Sequence, residues 1–179
     1  MYHARNRCGR WLLHPWPAQS WQPFLRERAG HIAIEAGGLP CTCGLSGCLE
    51  QYANSSALVR YAGAEKFASA DQVIAAANSG DCAAQGAIRT LARYLAAGCA
   101  TIVSLVDPEM LILGGGLAQD NPLLLKALTD ELAKRILMWP QRKLRVQASA
   151  LGYWAGVLGA AAVASVAAAN SSSAACDSP

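Results

Sequence analysis

His31, Cys41, Cys43 and Cys48 limit this chain more than any other feature, through the spacing His-x9-Cys-x-Cys-x4-Cys. Three thiolates and one imidazole are soft or borderline donors, and together they suit a tetrahedral zinc ion. Cys41-Thr42-Cys43 puts two sulfurs on one turn, and Gly44 and Gly47 let the loop fold back. Cys48 and the distant His31 then complete the shell. A closed Cys3His site is expected to be structural. The competing reading is a set of buried or free thiols. The chain has seven cysteines, an odd number with three clustered beside a histidine, which favours metal ligation in a reducing compartment over a disulfide framework.

Composition agrees with a folded, helix-rich domain. Apolar residues make up 53% of the 179 positions and charged residues 15%, with alanine dominant and Phe and Tyr scarce. The net charge is +3, but Arg5, Arg7, Arg10, Arg26 and Arg28 all lie in the first 28 residues. The remainder is nearly neutral, so no nucleic-acid surface is expected. Residues Ala155–Ala169 are apolar but too short, and too rich in Ala and Gly, to span a bilayer. With no signal-peptide pattern, the expectation is a cytoplasmic protein without membrane contact.

Residues 1–28 stand apart. Trp11, Trp16 and Trp21 alternate with Pro15, Pro17, Pro23 and basic side chains, and no helical or strand period fits them. A leader, an interaction arm or out-of-frame text would read this way. From Ala29 the text is regular. Ser55 or Ser56 is expected to cap a short helix through Tyr61. Ser69-Ala-Asp-Gln72 is a capping-box pattern opening a helix that ends near Asn78-Ser-Gly80. Asp81 then caps a long amphipathic helix with Ala84, Ile88, Leu91, Leu95, Ile102 and Val106 inward, stopped by Asp107-Pro108. A strand at Met110–Leu113 precedes Gly114-Gly115-Gly116. Asn121-Pro122 opens a helix to about Leu137, Leu144, Val146 and Ala148 alternate as a second strand, and an Ala-rich helix follows Gly152–Gly159. Residues 166–179 read as a disordered, low-complexity tail. Strand, glycine turn, helix, strand, helix is an α/β rhythm.

The glycine triplet has two readings. Lacking side chains, it brings backbone N–H groups close to a nucleotide at the carboxyl end of a sheet, or it is an ordinary tight turn. No Gly-Lys-Ser/Thr follows, so it is not a P-loop. Asn121 reads as a helix cap and Asp120 as a solvated loop acid.

Gly30-His31 followed by Cys41-Thr-Cys43-Gly44-Leu-Ser-Gly47-Cys48-Leu-Glu50 resembles the segment GH-x9-CxCGxxGCxE of ROK-family sugar kinases and their repressor relatives. The resemblance continues through Asp107-Pro108-Glu109, Leu111–Gly116 and Gly156-x-x-Gly159-Ala-Ala. It covers roughly residues 29–165 and looks most like the glucokinase-type members. It implies the C-terminal lobe of an actin-like ATPase (ribonuclease H-like) fold with an inserted zinc-binding loop at 31–50. It further implies that His31 holds zinc while facing sugar hydroxyls, and that Glu50 accepts hydrogen bonds from them. Read alone, Glu50 would be a helix cap. Gly114, Gly115 and Gly116 would lie against ATP. The ligands so implied are a hexose and ATP with Mg2+, besides the structural zinc, and a homodimer is a family-based expectation.

Two family segments have no counterpart in residues 1–30: the phosphate-binding DxGxT and the aspartate of an N-D-x-N-like motif, which serves as general base. No residue is therefore assigned as catalytic. Arg28 stands where the family has the glutamate of ExGH, with Glu27 one position off. The leading expectation is a glucokinase-like hexose kinase lobe that does not transfer phosphate alone. The alternatives are the sugar-sensing lobe of a ROK repressor, whose helix-turn-helix is absent from residues 1–28, and a non-catalytic zinc-stabilised interaction module.

Overall fold

The computed structural model describes residues 29–174. The expectations for residues 1–28, for Arg28 and for Cys8 and Cys176 lie outside the described residues. Among the described residues there are six helices and two strands: α1 Ser55–Ala62, α2 Ala70–Asn78, α3 Cys82–Val106, β1 Met110–Leu113, α4 Pro122–Arg135, α5 Trp139–Arg142, β2 Arg145–Ala148 and α6 Ala155–Ala174. Short 3-10 turns lie at Ala29–His31, Leu49–Gln51 and Gly152–Trp154. The class is mixed α/β, as the order of elements in the sequence suggests.

The helix starts follow local side-chain chemistry. Asn54 caps α1, its side chain accepting from Ala57 N at 2.7 Å. This corrects the expectation of Ser55 or Ser56, which stand one and two places inside. An Asn side chain in extended backbone reaches the third amide as well as a serine does. Ser69 caps α2 and accepts from Gln72 N at 3.3 Å, while Gln72 Oε1 accepts from Ala68 N at 2.9 Å. The returning half of the capping box thus falls one residue early. Asp81 accepts from Ala84 N at 2.8 Å to open α3.

α3 is the spine of the fold and packs against α1, α2 and α4. Ala84, Ile88, Leu91 and Leu95 are inward as expected, but the last turns use Cys99 and Val103. Ile102 is half-buried and Val106 exposed. Four-residue steps carry the buried stripe from Leu95 through Cys99 to Val103. Leu124, Leu128 and Leu132 supply α4's side of its contact with α3 and are fully buried. Truncating one of them to Ala costs about 2–5 kcal/mol. α4 ends at Arg135, two residues before Leu137, because Ile136 turns extended and buries its side chain.

β1 and β2 are parallel, Met110 beside Arg145 and Leu113 beside Ala148, joined through α4. Leu111 and Leu113 point into the core while Ile112 faces outward. The glycine turn therefore sits at the carboxyl end of a parallel pair. α6 runs on through residues 166–174, which the sequence reading places in the tail. No helix among the described residues is long and apolar enough to cross a membrane.

Candidate functional site

The site is built on a tight hairpin. Pro40 bridges Ser46 and Ala33 bridges Cys48 in antiparallel fashion. Cys41 N donates to Leu45 O at 2.8 Å, Gly47 N to Leu39 O at 2.8 Å and Gly44 N to Cys41 O at 3.0 Å. The loop folds back onto the entering strand, with Ile34 N donating to Gly47 O at 2.9 Å and Leu49 N to Ile32 O at 2.9 Å. Gly47 has φ +77°, and a Cβ there would strike the carbonyl oxygen of Glu35. Only glycine fits.

This backbone gathers His31, Cys41, Cys43 and Cys48, whose donor atoms all lie within 4.8 Å of one another. Cys41 Sγ is 3.5 Å from His31 Nδ1, and Cys43 Sγ is 3.6 Å from Cys48 Sγ. Tetrahedral bonds of about 2.3 Å to sulfur and 2.0–2.1 Å to nitrogen set donor separations of roughly 3.5–3.8 Å. The donor set fits such an ion.

Thiol electrostatics point the same way. Burial pushes the Cys48 thiol up to about 12, and the neighbouring sulfurs of Cys43 and Cys41 add to the effect. Burial works on Cys41 too, but the backbone N–H of Cys43 and the Gln51 amide outweigh it and lower that thiol to about 6. Gln51 Nε2 donates to Cys41 Sγ at 3.5 Å. Near neutral pH the bare cluster holds Cys41 as thiolate and keeps the Cys48 proton. A bound cation would neutralise the set and drive off the remaining protons.

Glu50 stands behind the histidine. Its Oε2 lies 3.5 Å from His31 Nε2, so Nδ1 faces the thiols and Nε2 faces the carboxylate. The two side chains are 19% and 17% exposed, which leaves one edge of the pair open to solvent. A carboxylate on the second ring nitrogen fixes the tautomer and aims the ring. Glu50 lies in the first turn of the Leu49–Gln51 segment rather than at a helix cap.

Further residues outside the spaced motif support the site. Gln51 holds the Cys41 sulfur, and Arg60 Nη2 donates to Gln51 O at 2.9 Å. Tyr52 accepts from Leu39 N at 2.7 Å and so pins the hairpin base. Leu49, fully buried, rests where Gly98 leaves room in α3. Gln51 and Tyr52 directly follow Glu50, and that adjacency was the available signal.

Gly114, Gly115 and Gly116 belong to a separate turn after β1, and all three are exposed. Gly115 has φ +95°, and Cβ atoms at Gly115 or Gly116 would meet only open space. The turn leads to Asn121, buried to 1%, which accepts from Leu124 N at 3.1 Å and donates to Leu117 O at 3.0 Å. Asn121 is a structural cap, and Asp120 is an exposed turn residue.

The family model described as "ROK family" matches residues 26–167. The glucokinase of Streptomyces coelicolor is 35% identical over 152 residues, which cover 74% of this chain and 48% of that protein. The xylose repressor of Bacillus subtilis is 28% identical over 135 residues, covering 75% of this chain and 35% of the repressor. The crystal structure of a ROK family glucokinase from Streptomyces griseus, in complex with glucose and AMPPNP, superposes with a TM-score of 0.71 at 34% identity. That match covers 78% of this chain and 51% of the other. The chain thus spans about half the length of the glucokinases it matches. The likeness carries the actin-like ATPase fold, of which the described residues form a mixed α/β portion.

Proposed function

The chain belongs to the ROK family, and from that premise we propose that it is the sugar-binding lobe of a glucokinase-like hexose kinase, acting in the cytoplasm. The observation that carries the reading is the His31–Glu50 pair, joined at 3.5 Å, partly open, and backed by three thiols. In this reading zinc occupies His31, Cys41, Cys43 and Cys48 and supplies rigidity when bound, holding the ring in place. His31 Nε2 and the Glu50 carboxylate then present a donor and acceptors to adjacent sugar hydroxyls. The glucose and AMPPNP of the Streptomyces griseus structure support a hexose and ATP, the latter with Mg2+, as the ligands. Gly114, Gly115 and Gly116 offer bare backbone to the nucleotide at the carboxyl end of β1. No residue is assigned as general base.

The test is hexose titration of the zinc-loaded full chain by calorimetry, with ADP release measured alongside. Saturable glucose binding is expected, and Glu50→Ala is expected to weaken it at least tenfold, since a charged hydrogen bond contributes about 1.5–3 kcal/mol. Absence of binding to the folded, zinc-loaded chain contradicts the sugar reading and leaves the zinc-stabilised interaction module. Glucose-dependent ADP release from ATP contradicts the assignment of no base. The xylose repressor supports a second reading, a sugar-sensing lobe. Preference for a pentose over glucose would favour it.

A further inference from the structure

The three thiols of the cluster differ in one respect that metal binding does not require. Cys48 is 0% exposed and Cys41 8%, whereas Cys43 is exposed at the hairpin tip. Cys41 is also held from several sides, by His31 Nδ1 at 3.5 Å, by Gln51 Nε2 at 3.5 Å and by the Cys43 backbone amide. Cys43 Sγ has Cys48 Sγ 3.6 Å away. The residues between them include Gly44 and Gly47, both at positive φ, and a Cβ on Gly44 would meet nothing within 4 Å. Gly44 therefore has open space beside it at the tip, while Gly47 stays packed on the Glu35 carbonyl.

We propose that Cys43 is an oxidation site, with Cys48 as its resolving partner, and that the disulfide they form expels the metal from the His31–Cys41–Cys43–Cys48 site. This rests on the zinc reading above. The chemistry takes a hydroperoxide as oxidant. The Cys43 thiolate sulfur attacks one peroxide oxygen, the O–O bond breaks, and hydroxide leaves, giving a sulfenic acid. The Cys48 sulfur then attacks the Cys43 sulfur, the S–O bond breaks, and the departing oxygen takes the Cys48 proton and leaves as water as the S–S bond forms. Two electrons pass from the two sulfurs to the peroxide. His31 and Cys41 are then the remaining donors, too few for a closed tetrahedral site. His31 loses its anchor on Nδ1, so hexose affinity falls with the metal. Zinc-bound thiolates are poorer nucleophiles than free ones, so the metal-free chain oxidises faster.

The experiment treats the zinc-loaded full chain with hydrogen peroxide and follows released zinc with a colorimetric chelator. In parallel, non-reducing peptide mass spectrometry locates the new bond, with cleavage at Leu45 separating Cys48 from the other two thiols and fragmentation at Thr42 distinguishing Cys41 from Cys43. Cys82, also exposed, reports general thiol reactivity. The expected result is about one zinc released per Cys43–Cys48 disulfide, a faster reaction after chelator stripping, and full reversal by dithiothreitol with zinc. Release accompanied by a bond through Cys41 overturns the proposal, as does zinc retained while Cys82 is oxidised. A folded chain that takes up no zinc contradicts the site reading itself. Failure of the stripped chain to form the Cys43–Cys48 bond overturns the oxidation site whether or not zinc binds.

Discussion

At the scale of single residues, the metal donors were readable because ligation demands both residue type and spacing, and little else satisfies both. The supporting contacts were not, because Gln51 and Tyr52 act through geometry that no spacing rule encodes. Gly47 and Gly44 separate two causes of glycine use. Both have positive φ, but only at Gly47 does the space for Cβ belong to another backbone atom, the Glu35 carbonyl oxygen. Gly44→Ala incurs strain of about 1 kcal/mol. Gly47→Ala adds a clash that the backbone must move to relieve, so its loss is expected to be at least double. Thermal unfolding of the two variants in the same buffer checks this, and equal melting temperatures would count against the geometry. At α1, three consecutive polar residues, Asn54, Ser55 and Ser56, all suit a cap. Choosing among them depends on where the preceding turn delivers the chain.

At the scale of elements, strand and helix order was legible from hydrophobic period and punctuation, while the register of a long helix was not. Over the 25 residues of α3 the buried stripe drifts, so that Cys99 and Val103 are buried in its last turns while Val106 is not. Two glycines within α3 give contrasting predictions. Gly86 has open space where Cβ would stand, so Gly86→Ala is expected to stabilise by about 0.5–1 kcal/mol. A Cβ at Gly98 would press on the Leu49 methyl groups, and Leu49 is fully buried between Cys48 and Glu50. Gly98→Val is expected to destabilise by about 1–3 kcal/mol and to weaken metal binding with it. Urea titration and zinc affinity read the two effects; unchanged affinity in a destabilised variant would disconnect α3 from the loop. In α4, the hydrogen bond from Lys134 and the nearby Arg135 hold the Glu131 carboxyl below its usual range. Because the folded value is the lower one, this contribution is present above the unfolded carboxyl value and is lost as pH falls through the folded value. Glu131→Gln should therefore cost a few tenths of a kcal/mol at pH 7 and nothing near pH 2, measured by urea midpoints.

At the scale of the whole molecule, the family was legible from the cysteine segment alone, whereas the extent of the fold was not. Leu105, Leu137, Trp154, Val157 and Val163 are each more than half exposed. Such side chains mark surface that the described residues leave uncovered. Sugar recognition depends on one physical link: a metal-held imidazole presenting its other nitrogen, with Glu50, to a sugar. The chain has three histidines, His3, His14 and His31, so imidazole resonances are few enough to assign by a His31→Gln control. Glucose titration of the zinc-loaded chain, followed by NMR of those rings, tests the link most directly. The expected result is a saturable shift of the His31 resonances alone, moved by Glu50→Ala to glucose concentrations at least roughly tenfold higher. A His31 ring unmoved while glucose binds, or at glucose concentrations that saturate family kinases, would contradict it.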